Sequence, residues 1–183
     1  KMIFVAALVA GPMASWAQET ETDTEVPSDL SLGQPAGPAV GEPYVRDQFG
    51  DWALRCIRAE DGLDPCNLYQ LLVNDDGVAV SEFNIFPLPE GSRAAAGATV
   101  VVPLETLLTQ QLTITIDDAE PRLYPFTFCN RAGCVARLGF TQEQIDLMKA
   151  GNAATLRIVR AAAPDQDIVL NLSLTGFTAG MTA

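Results

Sequence analysis

The sequence predicts an all-β domain of the sandwich or barrel type, with one short helix and disulfide staples. Three observations lead there. Beyond Phe49, eight or nine short segments alternate apolar and polar residues with period two, the mark of a half-buried strand. Turn signals separate these segments roughly every 8–12 residues, the rhythm of a small all-β domain. Four cysteines, Cys56, Cys66, Cys129 and Cys134, stand at segment ends, where they can bridge hairpins.

The elements follow in order. "FGDWALRCI" sets Trp52, Leu54 and Cys56 against Asp51, Ala53 and Arg55 and reads as one strand. "CNLYQLLV" is a second, "NDDG" at Asn74 to Gly77 a turn, and "VAVSEFNIF" the returning strand. An Asp-Gly pair between two apolar runs is a strong hairpin signal. "ATVVV" ends at Pro103, and "PLETLLTQQ" suggests no more than a single helical turn. "LTITID" alternates cleanly up to the acidic turn Asp117 to Pro121. "RLYPFTF" and "CVARLGF" flank the second cysteine turn. Thr141, with Gln144 three residues on, makes a capping box before an apolar stripe of Ile145, Leu147 and Met148. Lys149 favours the negative end of the dipole and Gly151 the C-cap, so a helix is expected over 142–150. "ATLRIVRA" and "DIVLNLSLTGF" close the chain as strands joined around 162–166.

The two ends of the chain carry different information. "KMIFVAALVAGPMASWAQE" has one positive charge, an apolar run from Met2 to Ala10 and small residues after it. This is the pattern of a secretory signal peptide, with Ser15 and Ala17 placed for cleavage between Ala17 and Gln18. The apolar run is short of the ~20 residues of a comfortable span. The expected organisation is a signal peptide at 1–17, a tether at 18–43 and a folded domain at 44–180. The tether carries six acids, no base and four prolines, too little apolar surface to offset its ordering entropy. Export would put the protein in the periplasm, where disulfides are allowed.

Composition narrows the function. The 183 residues include 48% apolar residues and a net charge of −12. Such acidity argues against nucleic acid and anionic lipid as partners, because both need a basic face. Histidine is absent, which removes Ser-His and Cys-His nucleophile pairs and imidazole zinc sites. No cofactor and no catalytic or metal-binding residue is expected.

The cysteines admit three uses. A structural zinc site needs thiolates in C-x2-C knuckles, whereas the gaps here are nine and four residues. A redox pair needs C-x-x-C at a helix N-terminus. A staple needs only hairpin ends. The spacing favours the local pairing Cys56–Cys66 with Cys129–Cys134; crossed pairings require the two loops to lie side by side, which a sandwich permits. Other candidates have plain readings. Trp52 reads as core, and Asp51 as a cap at the start of its strand. Asn74 to Gly77 lacks the alternating acids of a calcium loop. Asp117, Asp118 and Glu120 read as a solvated turn, Arg131 and Arg137 as a solvated strand face. Asn171-Leu172-Ser173 fits a glycosylation sequon inside a strand.

"FGDWALRC", a second cysteine ten residues later with "YQ" after it, then "FCNRAGCVARLGF", a helix ending "MKAG" and the terminal "LSLTGFTAG" together resemble the invasion-associated locus B family. The resemblance covers Phe49 to about Gly180; the acidic tether is no part of that family's core. It implies an exported alphaproteobacterial protein with an immunoglobulin-like β-sandwich and no known catalytic residues. The expected function is non-enzymatic binding of another envelope protein. The alternatives are a thiol-disulfide or stress factor using Cys129 and Cys134, a subunit anchored through an uncleaved N-terminus, with membrane contact only in that case, and a factor acting on host cells.

Overall fold

The computed structural model describes residues 33–34 and 36–183. The signal-peptide reading at 1–17, the Ala17–Gln18 junction and most of the tether lie outside the described residues. Period-two alternation makes strands that bury one face, and the described residues form eleven strands in two antiparallel sheets. They are β1 (Pro43–Phe49), β2 (Trp52–Ile57), β3 (Cys66–Val73), β4 (Ala79–Pro87), β5 (Ala96–Val102), β6 (Leu112–Ile116), β7 (Arg122–Tyr124), β8 (Phe126–Asn130), β9 (Gly133–Phe140), β10 (Ala153–Arg160) and β11 (Ala163–Ser173). One sheet has the order β1-β2-β3-β4-β5-β9-β8 and the other β11-β10-β6-β7. The two sheets share one core, so the architecture is the two-sheet sandwich of immunoglobulin-like folds, with a meander of five consecutive strands in the larger sheet.

The inner faces interdigitate. Trp52, Leu54, Leu68, Phe83, Ile85, Val100 and Phe140 of the large sheet meet Leu112, Ile114, Leu156, Ile158, Leu170 and Leu172 of the small one. Each such side chain, taken out of water, contributes roughly 1.5–3 kcal/mol before ordering entropy is charged against it. Aromatic edges join the middle: Phe83 meets Trp52 at 5.9 Å and 82°.

The strand pattern departs from expectation in four places. "FGDWALRCI" is not one strand. Gly50 and Asp51 turn the chain, and an additional edge strand, β1, precedes them; its residues are mostly exposed and polar, so it carries no alternation signal. "RLYPFTF" is two strands. Pro125 cannot donate to a ladder, and across it the chain leaves β6 in the small sheet and pairs with β9 in the large one. The β10–β11 connection is shorter than 162–166, because Arg160 already pairs with Ala163. Arg157 clamps this hairpin through two bonds to Asp167, at 2.6 and 2.7 Å. Finally, the last strand stops at Ser173, and a short helix α2 (Phe177–Gly180) follows, with Phe177 buried against Trp52 at 5.3 Å.

Helix α1 (Gln142–Ala150) has its capping box: the Thr141 hydroxyl accepts from the Gln144 N–H at 3.3 Å, and the Gln144 side chain accepts from the Thr141 N–H at 2.9 Å. Its inward face is Gln144, Ile145 and Met148; Leu147, expected inside, faces solvent. A single 3-10 turn occupies Leu108–Gln110.

A polar lock joins the sheets. The Ser173 carbonyl accepts from Trp52 Nε1 at 2.9 Å and from Gln70 Nε2 at 3.0 Å, and the Ser173 N–H donates to Gln70 Oε1 at 2.8 Å. Gln70 is buried, and this pairing engages both its oxygen and its nitrogen. An unpaired buried amide would cost about 1–3 kcal/mol.

Candidate partner-binding face

The cysteines sit directly opposite one another in their hairpins: Cys56 pairs in register with Cys66, and Cys129 with Cys134. Both pairs are disulfide-bonded, with S–S distances of 1.99 and 2.04 Å. Cys129 is exposed and Cys134 buried. Strands flank both disulfides, and among the described residues neither pair lies at a helix N-terminus, where a dipole lowers a redox thiol's pKa. Closing loops of ten and five residues stabilises by roughly 2–3 kcal/mol each. Dithiothreitol is therefore expected to lower the melting temperature by several degrees or more in a circular-dichroism melt. Replacing Cys129 and Cys134 together by serine is expected to reproduce part of that loss and nothing else; a lost thiol-exchange activity would mark a redox pair instead.

The loop between Cys56 and Cys66 is organised around Asp64, whose side chain is only 7% exposed. It accepts from the Ala59 N–H at 2.8 Å, the Tyr44 hydroxyl at 2.5 Å and Arg58 Nη1 at 2.9 Å. The Ala59 N–H, then the Tyr44 hydroxyl and the Arg58 charge, hold its pKa below the usual 3.8, and the bond to Asp64 raises that of Tyr44. A carboxylate held ionised by three donors is a poor proton shuttle and a good loop anchor. A group with a depressed pKa stabilises the fold above its unfolded value and loses that contribution as pH falls through the folded one. Asp64→Asn is thus expected to melt lower than the parent by a similar margin at pH 7 and pH 5, the margin shrinking below about pH 4. A margin constant down to pH 2 would show that the charge does not matter.

The acidic turn is not simply solvated. Asp117 accepts from the N–H groups of Asn152 and Ala153 at 3.1–3.3 Å, tying the β6–β7 turn to the start of β10. Asp51, read as a cap for its strand, instead accepts the Ser173 hydroxyl at 2.5 Å across the sheets; the same residue completes the sequon, whose Asn171 is exposed on the edge strand β11. Asn74 holds its turn by accepting from the N–H groups of Asp76 and Val78 at 3.1 and 2.8 Å. Among the described residues no three carboxylates or thiols gather as metal ligands, and no helix is long and apolar enough to cross a membrane.

One surface stands out by composition. Residues alternating with the core positions of the large sheet form rows across its outer face. One row runs Leu71, Glu82, Val101, Val135, Phe128, and the next Gln48, Ala53, Tyr69, Asn84, Thr99, Arg137. Val45 pairs with Arg55, and Phe86 with Gly97, on the far side. Val45 is 56% exposed, Leu71 46%, Phe128 43% and Phe86 37%, on the side of a sandwich that usually turns polar residues to water. Arg55 stacks on Tyr69 with its guanidinium carbon 3.1 Å from the ring centroid, and Arg137 lies 5.6 Å from that of Phe128. Asn67 donates to Asn84 at 2.9 Å between them. Rigid aromatics and arginines are the side chains that dominate protein interfaces. In a chain of net charge −12, these rows hold two guanidiniums to one carboxylate.

Of the residues singled out in the sequence, only Arg137 belongs to this face; the cysteines, Asp51 and Asp117 sit elsewhere. The signal for the rest was in "NLYQLLV". Its Gln70 stands on the inward phase and Tyr69, Leu71 and Val73 on the outward one, so the strand is apolar on both faces.

The comparisons with known proteins agree with this architecture. The crystal structure of invasion associated protein B from Bartonella henselae superposes with a TM-score of 0.63 at 22% identity, covering 74% of this chain and 91% of that one. At that identity the likeness is one of fold. A comparison with curated proteins gives no match. The family model described as invasion associated locus B (IalB) protein matches residues 52–183, from the first core strand to the last residue. The chain belongs to the invasion associated locus B family.

Proposed function

We propose that this protein is an exported, non-enzymatic β-sandwich of the bacterial envelope that works in the periplasm by binding another envelope protein. The observation that carries the reading is the outer face of the large sheet, with its exposed Val45, Leu71, Phe86 and Phe128 around the Arg55–Tyr69 stack. Seven strands at ~4.8 Å spacing and about 20 Å along the strands approach the ~800 Å² that a standard interface buries on each partner. The absence of histidine, the engagement of all four cysteines in disulfides and the satisfied Asp64 favour binding over chemistry. The leader-like N-terminus supports export, and the disulfides fit an oxidising compartment.

The test is in-cell photo-cross-linking of a tagged copy. Benzoylphenylalanine replaces Phe86 or Leu71 on this face, and Val169 or Thr155 on the outer face of the small sheet as controls. The expected result is one dominant envelope protein joined from Phe86 and Leu71 and absent from the controls, with Gln18 as the mature N-terminus. Equal yields from both faces, or none from either, would refute the assignment.

A further inference from the structure

A second surface, at the end of the sandwich covered by α1, has the make-up of a small-molecule site. There β6 and β7 part from α1 and leave a hollow of about 200 Å³ floored by Ile114, Ile116 and Phe140. It adjoins a shallower hollow of about 440 Å³, and the two share Glu120, Arg122, Tyr124 and Gln144. The sequence leads here locally. The capping box orients Gln144 inward, where its Oε1 is used by the Thr141 N–H and its Nε2 donates to the Tyr124 hydroxyl at 3.1 Å. Tyr124 rests its ring on Phe140 at 5.9 Å.

The donors at this junction are only partly used. The Tyr124 oxygen accepts from Gln144, and its own proton has no acceptor among the described residues. One N–H of Gln144 is likewise free, because the amide makes a single donated bond. The Arg122 guanidinium has neither an ion pair nor a hydrogen bond among the described residues. These three donors suit a carboxylate, which accepts through two oxygens. Glu120 and Glu143 line the same hollow, and their charges disfavour a simple anion and attract an ammonium group. The floor takes an apolar side chain.

We propose that this cleft binds a free apolar α-amino acid. The carboxylate sits on Arg122 and Tyr124, the ammonium group faces Glu120 and Glu143, and the side chain lies on Ile114, Ile116 and Phe140. The donors and the carboxylates together suit a zwitterion with an apolar part: a fatty acid meets the charges of Glu120 and Glu143, and an alkyl amine leaves the donors unused.

The experiment is a 1H–15N NMR titration of the full chain with L-leucine, followed by glycine, leucinamide and 4-methylpentanoate. Leucine is expected to shift the amides of Gly139, Thr141 and Gln144 saturably. Leucinamide, lacking the carboxylate, and 4-methylpentanoate, lacking the ammonium, should each bind about tenfold more weakly, as should glycine for want of a side chain. Arg122→Ala, at an exposed position, should weaken leucine about tenfold, and Tyr124→Phe, which keeps the ring, severalfold. No saturable shift at these amides, or equal binding of leucine and leucinamide, would overturn the proposal. Unchanged affinity in Arg122→Ala would do the same.

Discussion

Replacing Trp52 by alanine is expected to remove a large share of the stability of this domain. The side chain is fully buried and packs edge-on against Phe83 and, tilted, against Phe177. Truncating such a ring costs about 3–5 kcal/mol through lost transfer energy and the cavity left behind, against a total of about 5–15 kcal/mol for a domain. For a domain of this size that is roughly 10–15 °C in melting temperature. Trp52→Phe separates packing from bonding. The Ser173 carbonyl keeps its bond from Gln70 at 3.0 Å, so the phenylalanine variant should lose only about 1–2 kcal/mol. Urea denaturation followed by circular dichroism reads both. Equal losses in the two variants would mean that the indole bond, not the ring packing, dominates.

Gly176→Ala is the second large effect. The residue has φ +87°, and a Cβ there would stand 2.0 Å from the Phe49 carbonyl oxygen and 2.8 Å from the Gly50 nitrogen. Backbone meets backbone, because the β1–β2 turn presses on the chain leaving β11, where the Asp51 N–H donates to the Thr175 carbonyl at 3.1 Å. No rotamer change relieves that contact. The left-handed conformation alone costs alanine roughly 1–2 kcal/mol, and displacing the turn adds about 1–3 kcal/mol. Gly77→Ala is the control: its φ is +75°, yet nothing lies within 4 Å, so it should show the conformational part alone. The urea midpoint of Gly176→Ala is expected to fall at least twice as far. Equal falls would mean that the β1–β2 hairpin moves aside freely and does not brace the sandwich.

These two residues stand at one place, where the β1–β2 turn, Gln70 and the end of β11 converge. The lock there ties the large sheet to the small one.

The sequence by itself determined the strands with clean alternation and the helix 142–150, because period two and a capping box are local. It determined the hairpin at Asn74–Gly77 for the same reason, since the Asn74 side chain folds its own turn. Only the tertiary structure decided which phase of each strand is covered. Alternation states that neighbours face opposite ways, and "NLYQLLV" is apolar in both directions. Gln70 turns inward because the Ser173 backbone, 103 residues away, supplies partners for its amide, and Tyr69 and Leu71 therefore turn outward. The division of 122–128 between two sheets at Pro125, the polar edge strand β1 and the turn of α2 over Trp52 were likewise decided by contacts between residues far apart. Burial against a second sheet is a property of the assembled chain, and a local pattern carries no record of what will cover it.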